Sequence, residues 1–433
     1  MKKKLITVLV LGILSLGTTE ILHAQTASAK TVNTTIDKSI RPFRINIPEA
    51  KINDLKQRII HTKWPDKELV QDETQGVGLG TMKSLADYWA TKYDWRKIES
   101  ILNSYPQFIT NIDGVDIHFI HVRSKNKKAL PIIITHGWPG SVIEQLKIIE
   151  PLTDPERFGG KAEDAFDVII PSIPGHGFSG KPSQLGWNPE RIAKAWIELM
   201  DRLGYNKYVA QGGDWGNAIS ENMALMAPPA LLGIHTNMAA TVPGEISDAL
   251  AKGIPPAGLN ADEKNAFEQL DFFYKKGLGY ANEMSLRPQT LYAIDDSPVG
   301  LAAWMLDHDD RSQKLIARVF NGQREGLTKD DILDNISLYW LTNTGVSSAR
   351  LYWEASQGST AGFFDPRGLK IPVAVSVFPD EIYAVPKKWA ERAYPNLIYF
   401  NKLDKGGHFA AWEQPGLFTT EMRNAFKSIR KEL

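Results

Sequence analysis

The sequence predicts an α/β protein with a mostly parallel, doubly wound sheet and a late helical insertion. Three observations carry that expectation. Short, almost wholly apolar runs recur with the length of buried strands: Leu130 to Thr135, Phe166 to Ile170 and Tyr208 to Gln211. Amphipathic helical patterns separate them, and strands alternating with helices favour parallel pairing. From about 241 to 350 that rhythm gives way to a stretch rich in Leu, Trp and Tyr that reads as helical.

The chain has 433 residues, 43% of them hydrophobic, which is enough to bury a large core without covalent staples. It begins with Lys2, Lys3 and Lys4, followed by an apolar run from Leu5 to Leu16 and then small residues. This is the pattern of a secretory signal peptide over residues 1–29, with cleavage sites after Ala24 or Ala29. The run falls short of the ~20 residues that span a bilayer. The expectation is an exported protein, periplasmic or secreted, with no membrane span once the signal is removed. Lys plus Arg and Asp plus Glu number 50 each. Removing residues 1–29 takes away three Lys and Glu20, so 47 basic and 49 acidic residues remain, a net charge of −2. No basic footprint for nucleic acid is present. With no Cys, the chain uses no disulfides.

Residues 30–120 read as an N-terminal region. A helix starts near Ile47, where Pro48 and Glu49 suit a first turn and Ile52, Leu55 and Ile59 share a face. A second starts at Thr81, with Met82, Leu85 and Trp89 at helical spacing. Phe108 to Val122 reads as a hairpin about Asp113-Gly114. The first part of the α/β core follows over 121–240. Asn188 is placed as an N-cap with Pro189 at the first helical position. The inner stripe of that helix is Ile192, Ala195, Trp196, Leu199 and Leu203, and Gly204 ends it. After the insertion at 241–350, which has the character of a lid that excludes water, the core resumes over 351–433. Its strands are Val373 to Phe378 and Leu397 to Phe400.

Three places could carry chemistry. In Gly212-Gly213-Asp214-Trp215-Gly216, small residues flank a central side chain between a strand and a helix. That is the spacing of a nucleophile elbow, with Asp where Ser is usual. A carboxylate suits displacement at an sp³ carbon with a strained or good leaving group, forming an ester. Asp before a helix is also a common cap, and the turn alone does not choose between the two. In His136-Gly137-Trp138-Pro139-Gly140-Ser141, directly after a buried strand, the backbone can aim an amide at a developing oxyanion. The donors would be the amides of Trp138 and Trp215. Of nine His, only His408, in Gly406-Gly407-His408-Phe409, follows the final strand, where the order nucleophile, acid, His places the base. Asp380 or Glu381, after the strand ending at Phe378, could orient it. No His or Cys cluster has metal-ligand spacing.

Together these motifs resemble the epoxide hydrolases of the α/β-hydrolase fold, of the microsomal and juvenile-hormone type. The resemblance runs from about Arg41 to the C-terminus. It rests on Arg41-Pro42-Phe43 and Trp64-Pro65-Asp66, on the His136 and Asp214 motifs, and on Pro171-Ser172-Ile173-Pro174-Gly175-His176-Gly177-Phe178-Ser179. Asp296-Ser297-Pro298-Val299-Gly300-Leu301 and Gly406-Gly407-His408-Phe409-Ala410-Ala411 complete it. It implies a helical lid and an N-terminal helical extension on that fold. It also implies Asp214 as nucleophile, His408 as base and Glu381 as the triad acid. Tyr280 and Tyr352 would be the lid tyrosines that donate to the oxirane oxygen, with Tyr274 and Tyr292 as other tyrosines near the first. The implied reaction takes an apolar epoxide and water to a vicinal diol through an ester on Asp214, with no metal or organic cofactor. Both a monomer and a homodimer are compatible with it. A haloalkane dehalogenase would use the same fold and the same Asp elbow. It needs halide-holding N–H groups in place of two phenols, and the N-terminal region, Tyr352 and the Pro-Gly-Ser continuation after Trp138 argue against it. A binding protein on an inactive hydrolase scaffold would lack a triad member.

Overall fold

The computed structural model describes residues 37–323, 326–357 and 362–431. The expected signal peptide lies outside the described residues. Among them, no helix is long and apolar enough to cross a membrane.

The core is one nine-stranded sheet. Its strands are β1 (Arg41–Pro42), β2 (Gln107–Ile112), β3 (Val115–Val122), β4 (Leu130–Thr135), β5 (Phe166–Pro171), β6 (Tyr208–Gly212), β7 (Leu231–Thr236), β8 (Val373–Val377) and β9 (Leu397–Lys402). They lie in the order β1-β2-β3-β5-β4-β6-β7-β8-β9. β1 pairs antiparallel with β2, β2 with β3, and β3 with β5. Every pair from β5 to β9 is parallel. The inner parallel strands β4 to β8 are buried on both faces, which is why they read as apolar runs rather than as alternation, whereas the edge strand β9 is only half-buried. At the hairpin, Asp113 (φ 52°) and Gly114 (φ 86°) both take positive φ, as a two-residue turn between twisted strands requires.

The helix Pro189–Arg202 starts as the sequence indicates: the Asn188 side chain accepts from the Arg191 amide, 3.0 Å away. Its buried Trp196 donates from Nε1 to Thr135 Oγ1 at 3.0 Å, tying it to the end of β4. Several elements escaped sequence reading, and two of them shape the sheet and its N-terminal cover. One is the helix Trp95–Ser104, started by Asp94 accepting from the Arg96 amide. The other is β7, a central strand. It ends in the polar pair His235-Thr236, which masks its strand character. Both are fully buried, and His235 Nε2 pairs with Ser376 Oγ of β8 at 2.9 Å.

Between β7 and β8 the insertion is helical, from Gly244–Lys252 to Gly345–Ser356. The expected end at 350 falls inside that last helix, so Tyr352 belongs to the same unit as Tyr280. The N-terminal helices buttress the insertion at Lys329–Thr342. Trp89 Nε1 donates to Ser337 Oγ (2.9 Å), Tyr88 to Asp330 (2.8 Å) and Tyr93 to Asp334 (2.8 Å). The same helix grips the loop after β4. Asn335 Nδ2 donates to the Pro139 carbonyl, Ser141 Oγ donates to Asn335 Oδ1, and Tyr339 donates to the Gly140 carbonyl, each at 2.7 Å. The N-terminal region therefore fixes the lid, and the lid fixes a loop of the site.

Candidate active site

The carboxyl ends of β4, β6, β7 and β8 converge with the loop after β9, the side on which open α/β sheets place their ligands. β6 delivers Asp214 on a strained turn, with φ 51° and ψ −128° at a residue that has a side chain. The flanking glycines make that turn possible. A Cβ on Gly212 would lie 2.1 Å from the Gly216 carbonyl, and one on Gly216 would lie 2.0 Å from the Thr135 oxygen. The Asp214 side chain makes no capping bond to the helix Trp215–Met226. Instead, Oδ1 accepts from the Trp138 amide at 2.8 Å. Strain at such a position marks a functional role better than a structural one.

The Trp138 amide thus lies where the sequence placed an oxyanion donor. Trp215, next along the chain, begins the helix whose N-terminal dipole faces the carboxylate. Gly137 lets the loop approach, since a Cβ there would meet Asp214 Cβ and Oδ1 at 2.4 Å.

His408 is buried, and its Nδ1 bonds Glu381 Oε1 at 2.6 Å. Glu381 is held by the Ile382 amide at 2.8 Å and by Asn237 Nδ2 at 3.4 Å. The alternative acid, Asp380, is mostly exposed and faces Arg311 at 3.6 Å. With Nδ1 engaged, the other ring nitrogen of His408 is left for Asp214, and a ligand atom of each lies within 4.8 Å of the other. Burial by itself would depress the imidazole. The charge and hydrogen bond of Glu381, and then the charges of Asp214 and Asp309, outweigh it and raise His408 to about 10.

Tyr280 stacks on Trp138 (centroids 5.1 Å apart, 15° between planes) and Tyr352 packs edge-on against Trp215 at 4.7 Å. The two phenol rings lie 6.0 Å apart. Both are buried and pushed well above the usual phenol range, first by burial and, among nearby charges, by Asp214. They stay neutral donors, and the Tyr352 hydroxyl has no partner among the described residues. Tyr274 and Tyr292, the other tyrosines in the Tyr280 segment, are exposed.

Sequence reasoning missed two groups here. Behind Asp214, about 20 Å³ of free space is lined by Glu144, Gln145, Gln211, Asn237 and His408. That is room for one water. Glu144 Oε2, Gln145 Oε1 and Gln211 Oε1 are buried there without partners among the described residues. Burial raises Glu144 to about 8, against the opposing charge of His408, so it is largely protonated at neutral pH. Its only signal in the sequence is its place just after the His136 motif. The second group is His308, whose ring lies 4.4 Å from that of His408. Nothing in its lid sequence marks it. With Asp214 and His408 it forms a three-residue cluster of potential metal-ligand geometry that linear spacing could not show.

Residues 40–145 fit the epoxide hydrolase N-terminus family and residues 131–276 the alpha/beta hydrolase fold family. A putative epoxide hydrolase of Stigmatella aurantiaca is 49% identical over 90% of this chain and 86% of its own. The chain belongs to the epoxide hydrolase family. Another member, epoxide hydrolase 1 of Oryctolagus cuniculus, is 38% identical over 89% of this chain and 88% of its own. The crystal structure of the juvenile hormone epoxide hydrolase from the silkworm Bombyx mori superposes with a TM-score of 0.79 at 30% identity. It covers 92% of this chain and 96% of that one. The family match and the superposition show the α/β-hydrolase fold expected from the sequence.

Proposed function

We propose that this protein hydrolyses apolar epoxides to vicinal diols through a covalent ester on Asp214. One observation carries the reading: a strained aspartate, free of any capping role, has Oδ1 on the Trp138 amide and faces a histidine held by Glu381. Oδ2 is left to attack. It forms a bond to a ring carbon while the carbon–oxygen bond of the ring breaks, and the electron pair goes to the ring oxygen. Tyr280 and Tyr352 donate to that oxygen and one of them gives it a proton. Buried phenols this basic assist only as alkoxide charge develops, which is when a donor accelerates the step.

Esterification removes the charge of Asp214, one of those that hold the proton on His408. That proton passes to the phenolate. The neutral imidazole then takes a proton from a water in the space beside Glu144. The hydroxide attacks the ester carbonyl, and the Trp138 and Trp215 amides hold the oxyanion. The ejected diol alkoxide takes the His408 proton, and the proton left on the Asp214 carboxyl returns to His408. Aromatic walls from Trp138, Trp215, Tyr280 and Tyr352 favour an apolar substrate. Export of the mature chain, by a signal over residues 1–29, is part of the same reading. The test is turnover of styrene oxide and an aliphatic epoxide beside 1-chlorobutane. Diol without halide supports the reading, and halide release without diol overturns it.

A further inference from the structure

His308 belongs to no step above, yet it is built into the site with care. It sits in the lid turn between the helices Pro298–Leu306 and Asp310–Phe320, almost fully buried. Its Nδ1 pairs with Asp309 Oδ2 at 3.0 Å. Asp309 is itself fixed, because Oδ1 accepts from the Ser312 amide at 2.7 Å. The other nitrogen, Nε2, is buried without a partner among the described residues. A buried polar atom with no partner is destabilising unless something fills the place.

His308 presents one ligand atom within 4.8 Å of ligand atoms from both Asp214 and His408. Both imidazoles are arranged alike. His408 has Nδ1 on Glu381 and His308 has Nδ1 on Asp309, so each turns Nε2 inward. A carboxylate behind each ligating histidine is the usual outer support of a bound transition metal, because it sets the tautomer and strengthens the donor. Two histidines and one carboxylate, with a fourth position open, is a known donor set for zinc. The two rings are tilted 43° to each other with centroids 4.4 Å apart, and a ligand nitrogen of each lies within 4.8 Å of the other and of an Asp214 oxygen.

We propose that Asp214, His308 and His408 form a site for a divalent transition-metal ion of the zinc type, and that a bound ion shuts the enzyme down. Occupancy takes the nucleophile and the base together, so no ester can form and no water can be activated. The ion would sit on Asp214, with Glu381 and Asp309 one imidazole away behind His408 and His308, and the combined negative charge of the three favours a dication there. The inhibitory part rests on the epoxide hydrolase reading, whereas the binding part does not.

The experiment titrates the intact, metal-free protein with Co²⁺ and follows the visible bands of tetrahedral cobalt. Zn²⁺ is then added to displace it, and epoxide turnover is measured in parallel. The expected result is one ion per chain, bleaching of the cobalt bands by Zn²⁺, loss of turnover over the same concentration range and recovery with EDTA. His308→Gln should raise the metal concentration needed for binding by at least tenfold. Asp309→Asn should weaken binding by ~10–100-fold, the usual effect of losing an outer carboxylate. Each variant is compared with its own metal-free rate, and His61→Gln, an exposed histidine, should bind and respond like the parent. Absence of cobalt bands in the parent overturns the proposal. So does binding that leaves turnover untouched, or a His308→Gln protein that folds and titrates like the parent. A protein that binds cobalt in this way but hydrolyses no epoxide at all overturns the functional reading and leaves the metal site standing.

Discussion

Replacing Glu381 by Gln keeps the shape of the acid and removes its charge. Glu381 Oε1 lies 2.6 Å from His408 Nδ1, which puts the centres of charge about 4 Å apart. At the effective dielectric of ~20 that suits such pairs, their attraction is about 4 kcal/mol. At 1.36 kcal/mol per pH unit this is worth about 3 units. His408, now raised to about 10, should therefore titrate at roughly 7 in Glu381→Gln. The sign matters. In the parent, the folded-state proton of His408 contributes stability that is complete below its ordinary value of 6.5 and fades as pH rises through about 10. In the variant, almost all of that alkaline dependence disappears. Catalysis should suffer in the second half-reaction, because the imidazolium formed when water is deprotonated loses its counter-charge. Hydrolysis of the ester should slow by ~10²–10⁴-fold. The assay is an NMR titration of ring-labelled histidine, with the His408 signal assigned by its absence in His408→Gln, beside single-turnover release of diol. An unmoved His408 titration would refute the reasoning, as would a larger effect from Asp380→Asn than from Glu381→Gln.

Three further outcomes follow from the same geometry. His408→Gln should still open the epoxide but fail to release it, so intact-mass measurement should show a stable adduct of substrate mass mapping to Asp214; rapid release would remove His408 as base. Tyr352→Phe and Tyr280→Phe should each slow ester formation by ~10–100-fold, the worth of one hydrogen bond to a developing charge. Their effect on ester hydrolysis should be small, which rapid-quench kinetics can separate. Gly137→Ala places a methyl group 2.4 Å from Asp214 Cβ and Oδ1, so the carboxylate or the Trp138 loop must move. Ester formation should fall ~10²-fold, as for a misplacement near 1 Å. Thermal melting should show a loss of ~1–3 kcal/mol from overpacking.

Much of this was legible because it is local. Leu130–Thr135 could be read as β4 because a strand buried on both faces must be apolar throughout. The turn at Asp113-Gly114 was readable because few residues accept positive φ. The Asp214 elbow showed itself through glycines that a Cβ would jam against neighbouring backbone. What stayed hidden depends on contacts between distant segments. β7 carries buried His235 and Thr236, satisfied or shielded only once the sheet forms, and no local pattern announces that. The choice of Glu381 over Asp380 turns on a loop that buries one carboxylate and exposes the next. His308 and Glu144 are ordinary residues in the sequence, and only the closing of the lid over the sheet brings the first to His408. Residues 1–29, where the sequence expects a signal peptide, lie outside the described part of the chain.

The most direct measurement is a single turnover in ¹⁸O-water with enzyme in excess over epoxide, followed by mass analysis of the diol and of the peptide that carries Asp214. If a carboxylate oxygen enters the product, the first diol is unlabelled and the heavy oxygen appears in the side chain of Asp214. Heavy oxygen in that first diol, with none in the peptide, would mean that water attacks the epoxide directly and that no ester forms.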